Sequence, residues 1–168
     1  MNLMLNVLVL FLEILYYSLF MKYARKEGDI IKYIVAFTIN TFVILAVDAN
    51  NLPTYFIFVL LSLVLLKYLV KIKTNLFDML VIIIMLFLKV LIETPVYLLL
   101  IGVFNNYIVA VIASLIKISL ITLFSSKISK ILRKLKIKWD NNNFYIRYIF
   151  SISVFIYCII TSILLIFY

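Results

Sequence analysis

The sequence predicts an all-α fold, a polytopic integral membrane helix bundle of six transmembrane helices, and three observations predict it. Of the 168 residues, 67% are hydrophobic and 14% charged, with a mean hydropathy of +1.24, whereas soluble domains are about 45–50% apolar and 25% charged. The apolar residues gather into six runs of roughly the length that crosses a hydrocarbon core about 30 Å thick. Between the runs stand turn and cap residues, and lysine and arginine cluster at every second connection.

The spans fall at about 3–21, 31–47, 53–70, 76–100, 106–126 and 144–167, in a single membrane domain covering 1–168. Gly28 and Asp29, Asp48 through Pro53, Thr74 and Asn75, Gly102 with Asn105 and Asn106, and Asp140 through Asn143 supply the punctuation. With only two glycines and two prolines, nothing reads as a flexible linker.

Basic residues orient the chain, because cytoplasmic loops retain them. Fourteen of the sixteen flank the first, third and fifth connections, and none lies in the second or fourth. Odd-numbered connections are therefore expected in the cytoplasm of a multi-pass cell-membrane protein, with the N-terminus outside. Six spans put the C-terminus outside too.

The fifth connection carries more than charge. Over 127–139, Ile128, Ile131, Leu132, Leu135 and Trp139 recur at helical spacing, with Lys127, Lys130, Arg133, Lys134 and Lys138 away from that stripe. This predicts a basic amphipathic helix that continues the fifth span and lies on the anionic inner leaflet, anchored by Trp139, with membrane lipid as its partner. Retention of topology and a docking surface are both open roles for it.

The fourth span, Leu76–Leu100, is apolar yet contains Lys89, Glu93 and Pro95. Helical rise places Glu13 and Lys117 each about 15 Å from the outer ends of their spans, near the midplane, and Lys89 at similar depth. Glu93 follows Lys89 at i,i+4, a spacing that allows pairing along one face. The expectation is a Lys89–Glu93 pair within the fourth span and a Glu13–Lys117 pair between the first and fifth. These four form an intramembrane charged core that either fixes helix register or faces a ligand or water path. Pro95 frees the carbonyl of Leu91 and predicts a kink just outside them. Small residues at Ala110, Ala113 and Ser114 share a face with Lys117 and allow close helix approach. Tyr55, Phe56, Tyr97, Phe104 and Tyr107 cluster near the outer connections, as an interfacial belt or the wall of an outer apolar pocket.

Several classes of activity are disfavoured. Histidine is absent and Cys158 is the lone cysteine, within an apolar run, so no catalytic constellation, metal site or cofactor site is predicted. The net charge of +9 is spread between apolar runs rather than over a soluble basic patch, which argues against nucleic acid.

The order of spans resembles the transmembrane sensor region of peptide-pheromone receptor histidine kinases of the accessory gene regulator type, found in Gram-positive bacteria. The features that carry the resemblance are a short outer turn before a span ending in Tyr68-Leu69-Val70-Lys71-Ile72-Lys73, and a long fifth span running into Ser126-Lys127-Ile128-Ser129-Lys130-Ile131-Leu132-Arg133-Lys134-Leu135. It implies quorum-sensing signal transduction, an outward-facing hydrophobic site for a cyclic peptide, and a homodimer. The sequence departs from that family in ending at Tyr168 with no histidine and no kinase, which is how a sensor lacking its last span and kinase would read. Two alternatives stand beside a receptor module without catalytic output: a bacteriocin immunity or export protein, and a small transporter subunit.

Overall fold

A computed structural model of the chain describes residues 2–46, 54–71, 76–100 and 102–141. Those residues form five helices and no strand: α1 (Asn2–Arg25), α2 (Ile30–Ala46), α3 (Thr54–Tyr68), α4 (Leu76–Leu100) and α5 (Asn106–Asn141). The sixth expected span, 144–167, lies outside the described residues. Leu3–Arg25, Phe77–Leu100 and Asn106–Ile137 are each long and apolar enough to cross a membrane. The helices α2 and α3, at 17 and 15 residues, reach only about 26 and 23 Å.

Local chemistry sets the helix ends. Asp29 caps α2, its carboxylate accepting the N–H of Ile31 at 3.2 Å and its carbonyl that of Lys32 at 3.1 Å. Asn105 does the same for α5, with the N–H of Tyr107 donating to its side chain at 3.1 Å and that of Ile108 to its carbonyl at 2.9 Å. Lys26 (φ 56°) closes α1, and its N–H donates to the carbonyl of Lys22 at 2.9 Å. Gly28 has φ 76° and sits where an added Cβ would lie 2.8 Å from Val70 Cγ1. Only glycine lets this turn pass so close beneath the end of α3.

The helices pack in chain order as a ring, each on the next, and α5 closes against α1, with a further α1–α4 contact across the middle. Partners pair with rising and falling numbers on α1 and α4 (Tyr16 with Met85, Arg25 with Asp78), so these two are antiparallel, whereas α1 and α5 run in the same direction. One end of the bundle is therefore basic, carrying the end of α1, the start of α2 and α4, and the end of α5.

The core lies in that basic half. Its large members are Tyr16, Phe20, Met21, Tyr33, Phe37, Leu66, Val81, Ile82 and Met85. On α1 no described residue before Leu12 is buried, on α4 none after Met85, and on α5 only Val109 precedes Ala113. Leu3, Met4, Val7, Leu98, Leu99 and Val103 are exposed at the far end, a surface suited to lipid rather than water.

The basic segment continues the fifth span, as its periodicity predicts: residues 106–141 form one continuous helix of 36 residues, about 54 Å long. Leu132 is buried, Ile128 and Trp139 pack on the core, and the Trp139 ring lies 6.3 Å from that of Phe77. Ile131 and Leu135 stay exposed. The expected stripe is thus divided: one edge belongs to the bundle, because the start of α4 offers it an apolar partner, and the other does not. The α4 helix runs unbroken through Pro95.

Candidate functional site

Four charged side chains meet where α1, α4 and α5 cross. Each helix brings them there through a face of helical period. On α1, Glu13, Tyr16 and Tyr17 recur at i, i+3 and i+4; on α4, Met85, Lys89 and Glu93 follow at i, i+4 and i+8; on α5, Ala113, Ser114 and Lys117 share a face. Ala113 and Ser114 are buried and small, so α5 approaches α1 closely enough for Ser114 Oγ to donate to Glu13 Oε1 at 3.2 Å.

The charges alternate along a chain. Lys89 Nζ lies 3.0 Å from Glu13 Oε2, Glu13 Oε1 takes the ammonium of Lys117, and Lys117 also reaches Glu93 Oε1. Lys89 thus pairs with Glu13 across the α1–α4 interface, in place of the expected pair with Glu93 along its own helix. The physical reason is depth: Glu13 is nearly buried and surrounded by protein, so it draws both cations, while Glu93 is satisfied by Lys117. Lys117 is fully buried, whereas the side chains of Lys89 and Glu93 retain 28% and 23% exposure.

Aromatic rings line the network on its core side. Lys117 Nζ sits 5.2 Å from the Tyr16 ring centroid and Lys89 Nζ 5.8 Å from that of Tyr17, both within cation–π range. The Tyr16 hydroxyl donates to the carbonyl of Met85 at 2.7 Å, and Lys89 donates to the Tyr17 hydroxyl at 3.2 Å. Tyr17 in turn packs on Phe37 and Phe58 at 5.7 and 5.2 Å. The network therefore forms the outer boundary of the packed core.

Two polar features escaped the sequence reading. Arg25 and Asp78 make a buried ion pair, Nη2 donating to Oδ2 at 2.9 Å and Nε lying 2.8 Å from Oδ1, with side chains 7% and 1% exposed, and tie α1 to the first turn of α4. A signal existed: Asp78 is an acid at the basic end, at the start of an apolar helix. Asn40, in mid-α2, donates to the carbonyl of Phe58 at 3.0 Å and to Ser62 Oγ at 2.6 Å, joining α2 to α3. An asparagine inside an apolar run is the mark of such a link.

The expected outer aromatic group is not gathered in the same way. Tyr97 and Tyr107 are half-buried and Phe104 is exposed, while the side chains of Tyr55 and Phe56 lie outside the described residues. Of the basic segment, Lys127, Lys130, Arg133 and Lys134 are exposed, and the side chain of Lys138 lies outside the described residues. Among the described residues no group of His, Cys, Asp and Glu is placed to hold a metal ion. Chemically, the network can lock three helices in register and present charged groups of both signs at its edge. The chain matches no protein-family model, no curated protein and no solved structure.

Proposed function

We propose that the chain is the membrane-embedded sensor module of a bacterial peptide-pheromone receptor, a multi-pass bundle with its N-terminus outside. A hydrophobic cyclic peptide enters from the outer side, and the response passes to the cytoplasmic end without catalysis by this chain. One observation carries the reading. Lys117, held by carboxylates from α1 and α4, stands on the same unbroken helix as the basic segment Lys127–Lys134, so a change at the network is transmitted along α5 without a loop to absorb it.

The distribution of packing supports the same reading. The core occupies the basic half, and the network caps it with Lys89 and Glu93 partly exposed. The absence of basic residues from the second and fourth connections supports placing the less packed half outside. A charged group at this depth is expensive unless paired or functional, and here pairing and partial access coexist.

The test is binding of a panel of fluorescent cyclic peptides with apolar side chains to the full chain in lipid nanodiscs. Saturable binding, competed by unlabelled peptide and weakened at least ten-fold by Lys89→Met, is the expected result. Failure of every peptide in the panel to saturate overturns the reading. So does protection of a sensitive host from a bacteriocin by expression alone, or solute flux in proteoliposomes that disappears with Lys117→Met.

A further inference from the structure

The four charged residues use unequal shares of their hydrogen-bonding capacity. Glu13 is buried, takes Ser114 and Lys117 on Oε1, and turns Oε2, which accepts no hydrogen bond from the described residues, to the Lys89 ammonium at 3.0 Å. Lys117, with no exposed surface, is spent on two carboxylates. The edge on α4 is different. An ammonium has three N–H donors; Lys89 gives one to the Tyr17 hydroxyl at 3.2 Å and lies 3.0 Å from Glu13 Oε2, so that even with both contacts counted one donor has no partner among the described residues. Glu93 gives Oε1 to Lys117, and its Oε2 has no hydrogen-bond partner among the described residues.

One spare donor and one spare acceptor therefore stand one turn apart on a single helix face, with Cβ atoms about 6 Å apart. Both are in the partly exposed part of the network. We infer that this edge binds the main chain of an extended peptide residue, with Lys89 Nζ donating to its carbonyl and Glu93 Oε2 accepting from its N–H. The inference rests on the sensor reading above and names the chemistry of its ligand contact.

Two properties select a peptide main chain. In an extended residue the N–H and C=O point to the same side, the arrangement by which antiparallel strands exchange paired hydrogen bonds. The network also sums to zero charge, two lysines against two glutamates. A free carboxylate would meet Glu93 and a free ammonium would meet Lys89, so a charged ligand gains one partner and is repelled by the other. A neutral group with a donor and an acceptor satisfies both. Tyr97, one turn further out on the same face and half-buried, is placed to meet an adjoining apolar side chain.

The experiment uses the full chain in nanodiscs and the tightest-binding cyclic peptide of that panel, together with its single N-methyl analogues, which lose one N–H each, and its single ester analogues. A hydrogen bond to a charged group corresponds to roughly 10- to 100-fold in affinity. One N-methyl position should weaken binding by at least about ten-fold, with the others near three-fold or less. In Glu93→Gln, where the amide can present an N–H in place of the acceptor, that penalty should shrink to about two-fold. The ester analogue whose oxygen alters the same residue's carbonyl should lose its penalty in Lys89→Met, which serves if Glu93→Gln does not assemble. A flat scan, or a penalty unchanged in both variants, overturns the inference while parent binding keeps the sensor reading intact. A parent peptide that fails to bind the wild type, along with the rest of the panel, overturns both.

Discussion

Lys117→Met tests whether the charged crossing holds the bundle together. Lys117 has no exposed surface and neutralises two carboxylates, so its loss takes the four-residue network from neutral to a net charge of −1. Removing one partner of a buried pair costs about 3–5 kcal/mol. Two features place this case near the lower end. Glu13 keeps Lys89 at 3.0 Å, and Glu93, 23% exposed, can turn its freed carboxylate outward. Methionine also retains most of the apolar stem. The expected loss is about 3 kcal/mol, or roughly 6–12 °C in Tm for a chain of this size.

Lys89→Met should be milder, about 1–2 kcal/mol, because that cation is 28% exposed and Glu13 retains Lys117. Adding Glu13→Gln to Lys117→Met restores neutrality and leaves Lys89 and Glu93 free to pair along α4. The double variant should therefore be more stable than the sum of the two single losses by about 1–2 kcal/mol. Thermal unfolding in nanodiscs can be followed by the emission of Trp139, the only tryptophan, which packs against Phe77 at the basic end. If Lys89→Met costs as much as Lys117→Met, or if the double variant is additive, the network does not hold the helices as described.

Three further outcomes follow from the same structure. Asp78→Ala removes the carboxylate that ties Arg25 of α1 to the first turn of α4 and should cost about 1–3 kcal/mol, whereas Arg25→Met combined with Asp78→Leu should recover more than half of that in the same unfolding assay. Gly28→Ala should destabilise by more than about 1 kcal/mol, since φ is positive and the new Cβ meets Val70; Gly102→Ala, with nothing within 4 Å, should stay within about 0.5 kcal/mol. A cysteine at Asn106, in a Cys158→Ser background, should react with an impermeant maleimide added outside intact cells, and one at Lys130 only after permeabilisation; the reverse pattern would invert the orientation.

The charged crossing was partly legible from the chain alone. Helical rise put Glu13, Lys89 and Lys117 at one depth, and depth depends only on position along a helix. Partner choice does not. Whether Lys89 meets Glu93 on its own helix or Glu13 on the next depends on the rotation of α4 against α1, which is set by Tyr16 bonding to Met85 and by the small residues of α5. The Arg25–Asp78 pair was hidden for a similar reason, because Arg25 already had an adequate reading as one of the residues that retain a cytoplasmic loop.

By itself, the sequence determined the helical class, the apolar runs, the caps at Asp29 and Asn105 and the segregation of basic residues. All of these follow from composition, period and local hydrogen bonding within a few residues. Only the tertiary structure decided which edge of the basic segment of α5 packs on the bundle, that the helices close in a ring with α1 against α4 and α5, and that the core fills one half and stops at the charges. Those outcomes depend on which faces meet. Two helices of equal apolarity differ in how closely and at what rotation they pack, and that geometry is a property of the assembled bundle.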